Sequence, residues 1–189
     1  MLLNMGGKDY VVSRSMRGNL LVIGSCIVLS ALSCGTREES RLGEGSYHVG
    51  KGAGRSFKLP DGSTIFVSPE TSITLSKGFG RDNRDIQLDG EARFDVVANP
   101  ARPMVIHTRD LVIEVLGTRF KVDAFRDKPG EEVDLLSGAL RVRKSYHSDT
   151  DNEPEVLKDG EMVMINHDID LMEKEALNPA ELEKLRGLW

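Results

Sequence analysis

The side chains of this chain that could do chemistry are four histidines, a few spaced carboxylates and two cysteines. His48, His107, His147 and His167 lie far apart, with no His-x-His or His-x₃-His spacing, so a zinc site would need them to converge from separate turns. Ordinary polar roles are expected for them, and neither a metal nor a cofactor is expected. Asp149, Asp151 and Glu153 alternate as in a calcium loop, but Pro154 stands where the sharp turn needs glycine, so the reading is a solvated acidic loop. Glu91 and Asp95 share one face of a strand, and four residues of extended chain span about 13 Å, beyond the reach of paired glycosidase carboxylates. The chain has no Gly-x-Ser-x-Gly, phosphate loop or dinucleotide fingerprint. A binding role without catalysis is therefore expected. A hydrolase would require Glu91, Asp95 and a histidine in one pocket.

Both cysteines, Cys26 and Cys34, fall in the N-terminal segment, which leaves the body of the chain without a disulfide or a thiolate nucleophile. Leu20 to Leu32 is uncharged and follows Arg14 and Arg17, the order of a signal peptide, and is shorter than the roughly 20 apolar residues of a membrane span. It ends in Ala31-Leu32-Ser33-Cys34-Gly35, which resembles a lipoprotein cleavage box with Cys34 as the lipidated residue. Met16 reads as the start of that signal. Residues 1–33 are thus a signal peptide or an uncleaved N-terminal membrane anchor, and either reading puts the rest of the chain in the cell envelope, on the periplasmic side. Residues 34–54, rich in glycine, serine and charge, read as a flexible tether.

The elements that position these residues read as strands. With 5% aromatic residues the core must come from aliphatic side chains, whose β-branched members favour strands. Polar turns with a glycine recur at Gly62, Gly90, Gly117, Gly138 and Gly160, each followed by alternating apolar residues such as Ile65 and Val67, or Phe120, Val122 and Ala124. Period two marks strands with one buried face, and the five glycines read as structural turn residues. Further strands are expected at 72–76, 85–88, 104–107 and 111–115. The fold class is all-β, with short antiparallel strands stacked as a roll, a solenoid-like array or a sandwich over residues 55–170. Residues 171–189 form a C-terminal segment with a short helix started by Asn178-Pro179-Ala180-Glu181, with Leu182, Leu185 and Trp189 near one face. A net charge of −5 without a basic cluster argues against nucleic acid as a partner.

In this order, Lys58-Leu59-Pro60-Asp61-Gly62-Ser63, Leu88-Asp89-Gly90-Glu91-Ala92-Arg93-Phe94-Asp95-Val96, Arg102-Pro103-Met104-Val105-Ile106-His107-Thr108, Val115-Leu116-Gly117-Thr118-Arg119-Phe120-Lys121-Val122, Leu136-Ser137-Gly138-Ala139-Leu140-Arg141-Val142 and Leu157-Lys158-Asp159-Gly160-Glu161 resemble the FecR domain. That is the periplasmic domain of sigma-factor regulators in cell-surface signalling. The resemblance implies a β domain that binds signalling proteins of the envelope. Members usually also carry a sigma-binding cytoplasmic segment, a membrane helix and often an α/β module; the lipoprotein-like N-terminus departs from that pattern, so a binding or scaffolding role is expected without direct anti-sigma activity. The expected partner is an envelope receptor or regulator, met by a sheet edge or the C-terminal helix face. The alternative is an envelope polysaccharide- or peptidoglycan-binding lipoprotein using an exposed polar sheet face.

Overall fold

The structure is a computed structural model that describes residues 40–189; the expected signal or anchor and Cys34 lie outside the described residues. The strands are β1 (Gly45–Val49), β2 (Arg55–Lys58), β3 (Thr64–Val67), β4 (Thr71–Leu75), β5 (Asp85–Asp95), β6 (Met104–His107) and β7 (Leu111–Val115), most of them built on alternating apolar residues. They continue as β8 (Arg119–Ala124), β9 (Gly130–Ser137), β10 (Ala139–Lys144), β11 (Glu155–Lys158), β12 (Glu161–Asn166) and β13 (Leu171–Ala176), before the helix α1 (Pro179–Arg186). The all-β reading and the short C-terminal helix are both found.

The strands form two layers that share β5. One layer runs β1-β4-β5-β6-β7-β10-β11 through the first half of β5. The other runs β2-β3-β5-β8-β9-β12-β13 through its second half. Inward side chains of both layers, Ile73, Ile106 and Ile113 from the first and Val67, Phe120, Val133 and Ile165 from the second, join one buried core. Phe94 stacks on Phe120 with ring centroids 4.9 Å apart. The result is a nearly closed, barrel-like roll.

Three sequence expectations are corrected. Asp89-Gly90 is not a turn between two strands: β5 continues through it without interruption, and Ile86, Leu88, Ala92 and Phe94 all point inward on the same alternation. Gly90 is the point where the strand changes layers, because Asp89 pairs with Ser72 of β4 while Gly90 pairs with Ala124 of β8. Its φ of +119° is one that side chains rarely adopt. A Cβ there would come within 2.8 Å of the Thr71 Cα. The second correction follows from the first. Having crossed to the other layer, the chain returns through residues 96–103, so β6 lies parallel to the start of β5, with Ile86 opposite Ile106, in a set of strands otherwise paired antiparallel. Parallel neighbours cannot be joined by a hairpin, which is why this loop exists.

Thirdly, part of the expected tether is ordered. Gly45–Val49 is the edge strand β1, and only Val49 in it is buried, so the sequence carries no alternation to detect. The expected C-terminal segment likewise begins with β13, whose Leu-Met-Glu-Lys-Glu-Ala buries nothing fully and is held by pairing with β12.

A buried ion pair fixes the loop that returns the chain. Arg84, with its side chain 1% exposed, meets the Asp61 carboxylate at 2.6 Å and also donates to the carbonyls of Val97 and Arg102 and to Ser63 Oγ. Asp61 in turn accepts from the backbone N–H and hydroxyl of Ser63, and Ser63 Oγ accepts from Val97 N. The β2–β3 turn, the start of β5 and the crossover are thereby one polar knot. Gly117 closes the same region, since a Cβ there would stand 2.6 Å from the Ala98 Cα.

α1 begins with the expected capping box: Asn178 accepts from Ala180 N and Glu181 N, and Glu181 accepts from Asn178 N. Leu185 is buried against the outer face of the second layer and Leu182 half-buried, whereas Trp189 is 41% exposed.

Removing one member of the buried pair strands the other. Asp61→Ala should destabilise the domain by about 3–5 kcal/mol, measured by denaturant unfolding. Gly117→Val should destabilise by about 1–3 kcal/mol, since the Ala98 backbone cannot yield without moving the crossover; unchanged thermal melting would contradict it.

Candidate functional site

The residues with chemical promise do not converge. His48 lies on β1 against Ser72 Oγ, His107 ends β6, His147 is in an exposed loop and His167 in the β12–β13 turn. Among the described residues no group of three or more His, Cys, Asp or Glu side chains could hold a metal ion. Asp151 accepts from Glu153 N, and Asp149 is exposed. Glu91 and Asp95 have separate partners, Ser68 Oγ and Lys121 for the first and Arg119 for the second. Gly62, Gly138 and Gly160 have positive φ between strands, Gly90 lies within β5, and Gly117 is required by a close approach.

What the fold assembles instead is a cleft on the outer face of the second layer, roofed by α1. Because Ala92, Val122, Val133 and Val163 point inward, their neighbours in sequence point outward. The register sets them in two rows across five strands. One row is Arg93, Lys121, Asp134, Met162 and Glu175; the next is Glu91, Asp123, Glu132, Met164 and Glu173. Between these rows and the helix residues Glu181, Lys184 and Leu185, with Leu188 just past the helix, lies a space of about 690 Å³.

The electrostatics of this cleft are unbalanced. Lys121 Nζ stands 3.5 Å from Asp134, 3.7 Å from Glu91 and 3.8 Å from Glu132, so one ammonium serves three carboxylates. Burial pulls the Lys121 ammonium down, but Asp134, Glu91, Glu132 and Asp123 together outweigh it and hold the group above the usual lysine value. Asp134 is 7% exposed, and one of its carboxylate oxygens has no hydrogen-bond partner. Burial and then repulsion from Glu132 push its carboxyl up to about 7, against the pull of Lys121.

A second polar cluster resembles a nucleophile beside a base: Ser148 Oγ is 2.8 Å from Lys144 Nζ, and both residues are buried. Lys144 Nζ also faces Thr150 Oγ1, the Asp170 carbonyl and the Asp170 carboxylate, so its three protons are all engaged and it has no free lone pair with which to act as a base. Tyr146 and Ser148 donate to Asp170 as well, and these bonds hold that carboxyl far below the usual range. The cluster ties the 145–154 loop to the β12–β13 turn.

The family model for the FecR protein matches residues 45–141, from the first residue of β1 into β10, slightly more than half of the chain. The chain belongs to the FecR family. FecR proteins are regulatory modules of signalling systems. Two crystal structures of a proposed anti-sigma factor from Parabacteroides distasonis, at 2.50 and 1.65 Å resolution, share the fold with a TM-score of 0.65 and 22% identity over 73% of this chain. This chain spans 62% of the length of those proteins. No curated protein matches it.

The motifs that carry the family match serve mainly the fold and give the cleft only Glu91 and Lys121. In Gly-Glu-Ala-x-Phe, Gly90 turns β5 between layers, Glu91 N donates to Thr71 Oγ1, and Ala92 and Phe94 enter the core. In Val-Leu-Gly-Thr-x-Phe-x-Val, Gly117 admits Ala98, Thr118 Oγ1 donates to the Ala139 carbonyl, and Phe120 meets Phe94. Lys121, Glu132 and Asp134 were not distinguishable in the sequence from any solvated strand face, since the signal lies in cross-strand register alone.

The edges of this FecR domain are partly closed to strand addition. Along β11, Lys174 donates to the Val156 carbonyl and Lys158 N donates to Glu161, while residues 40–42 lie along β2. The α1 cleft is therefore the candidate site.

Because folded Asp134 keeps a proton that the unfolded chain loses near pH 4, its contribution to stability is complete below that pH and is lost as pH climbs through about 7. Asp134→Asn should melt higher than wild type above neutrality, with the difference vanishing towards about pH 4. Parallel melting profiles for the two proteins would show that Asp134 ionises normally.

Proposed function

We propose that this chain is a non-catalytic signalling module of the cell envelope, a FecR domain on the periplasmic side that binds a receptor or regulator protein. Its N-terminal segment holds it at a membrane, by lipidation at Cys34 after removal of residues 1–33. The family match over residues 45–141 carries this reading. A polar cleft roofed by the helix supports it, because the cleft offers a recessed surface without a reactive constellation. No helix among the described residues is long and apolar enough to cross a membrane. A glycan-binding role gains no support from the surface: Trp189 is the one exposed aromatic ring of Phe, Tyr or Trp type among the described residues, and sugar faces stack on rings.

Two measurements test the proposal. Labelled palmitate should enter the wild-type protein in bacterial cells and not the Cys34→Ala variant, and cross-linking in membranes should join the protein to an envelope receptor or regulator. Label retained by Cys34→Ala removes the lipid anchor from the proposal. Cross-links to abundant lipoproteins alone remove the partner.

A further inference from the structure

The row Glu91, Asp123 and Glu132 sets three carboxylates directly opposite one another on β5, β8 and β9. Like charges facing across strands are destabilising, so such a row is an unfavourable way to build a sheet surface. Lys121 and Lys128 neutralise it only in part, for Lys128 reaches Asp123 alone. One oxygen each of Asp123 and Asp134 is buried without a partner. Asp134 is more than nine-tenths buried and projects from β9 into the cleft beneath α1. Around that space stand five carboxylates, of Glu91, Glu132, Asp134, Glu175 and Glu181, against the ammoniums of Lys121 and Lys184. Arg93, which pairs with Lys121 in the neighbouring row, is engaged at the rim: its guanidinium lies 3.9 Å over the Phe66 ring, donates to the Leu188 carbonyl and feels the charge of Glu91. The floor also presents Met162 and Met164, and Leu188 stands at its rim; Met164 and Leu188 are exposed. Methionine adapts to side chains of irregular shape.

We propose that this cleft receives a basic, amphipathic segment of the partner protein, with an arginine or lysine side chain seated against Asp134 and Glu132 and apolar neighbours on Met162, Met164 and Leu188. The proposal rests on the partner-binding reading above and names the chemistry of the surface the partner presents. A cation there supplies the charge that Lys121 cannot provide to three carboxylates at once, and gives the Asp134 oxygen its missing donor. A guanidinium suits the site best, since its fork can meet two carboxylates together. The same excess of negative charge repels an acidic segment. Since the cation binds the ionised carboxylate, affinity should rise with pH through the range in which Asp134 loses its proton, with Glu91, Glu132, Glu175, Glu181, Lys121 and Lys184 facing the same space.

The test uses the full chain in detergent and two synthetic peptides of alternating charged and leucine residues, one with arginine and one with glutamate, titrated by calorimetry. The arginine peptide should bind and the glutamate peptide should not. Affinity for the arginine peptide should increase from about pH 6 to about pH 8. Asp134→Asn with Glu132→Gln should weaken it about tenfold or more, and Lys184→Gln should strengthen it, with thermal melts showing that each variant is folded. Equal binding of the two peptides, or binding untouched by Asp134→Asn with Glu132→Gln, overturns the inference. So does a dimer or a glycan interaction that the same variant abolishes, since the cleft would then belong to a second copy or to a sugar. Membrane cross-linking separates this from the broader reading. If wild type and the double variant join the same envelope receptor or regulator equally, the cleft is not the docking site though the signalling role stands; if neither joins one, the signalling role itself falls.

Discussion

The buried contact between Arg84 and Asp61 governs this fold, because it holds the crossover, a stretch of chain that the strand pattern cannot hold. A guanidinium taken out of water is stable only if its donors are satisfied, and here they reach a carboxylate, a hydroxyl and two backbone carbonyls. Those acceptors belong to the β2–β3 turn and to the loop after β5. The pair therefore dictates where the crossover runs, and with it the parallel placement of β6 beside the start of β5. Everything after β6 hangs from that placement: β7 and β10 extend the first layer, while β8, β9 and β12 extend the second.

β5 is the other half of the same constraint. One continuous alternation of buried residues lets a single strand line the core of both layers, and Gly90 allows the change of direction between them without interrupting it. The Thr71 side chain bonds to the backbone of Glu91 at the bend. A strand divided between two sheets closes the roll with few free edges, and side chains or flanking residues shield part of those that remain.

The polar clusters divide by how completely they are satisfied. Around Lys144 and around Arg84 each buried charge finds a full set of partners, and such clusters hold loops in place. In the cleft under α1 the carboxylates outnumber the cations and one oxygen, on Asp134, lacks a partner. Surfaces that bind often give up stability in this way, since what is left unsatisfied in the free protein is available to a ligand.

Much of the fold was legible in the residues. Alternation located β6 and β7 at their observed bounds, and the capping box located α1, because both signals arise from neighbours within a few residues. Strands that bury almost nothing, β1 and β13, left no such signal, since their place is held by pairing with a neighbour. Asp89-Gly90 looked like a turn because a glycine with positive φ serves a reversal and a bend alike, and only the partners on either side tell the two apart. Of the candidate site only Glu91 and the helix face were legible. Lys121, Glu132 and Asp134 are ordinary outward residues of their own strands, and they form a cleft only because the register of β5, β8, β9 and β12 brings them side by side and α1 folds over them. Local periodicity decided which segments are strands and which face of each is buried; long-range pairing decided which outward charges meet, because register is a relation between distant residues that no single strand contains.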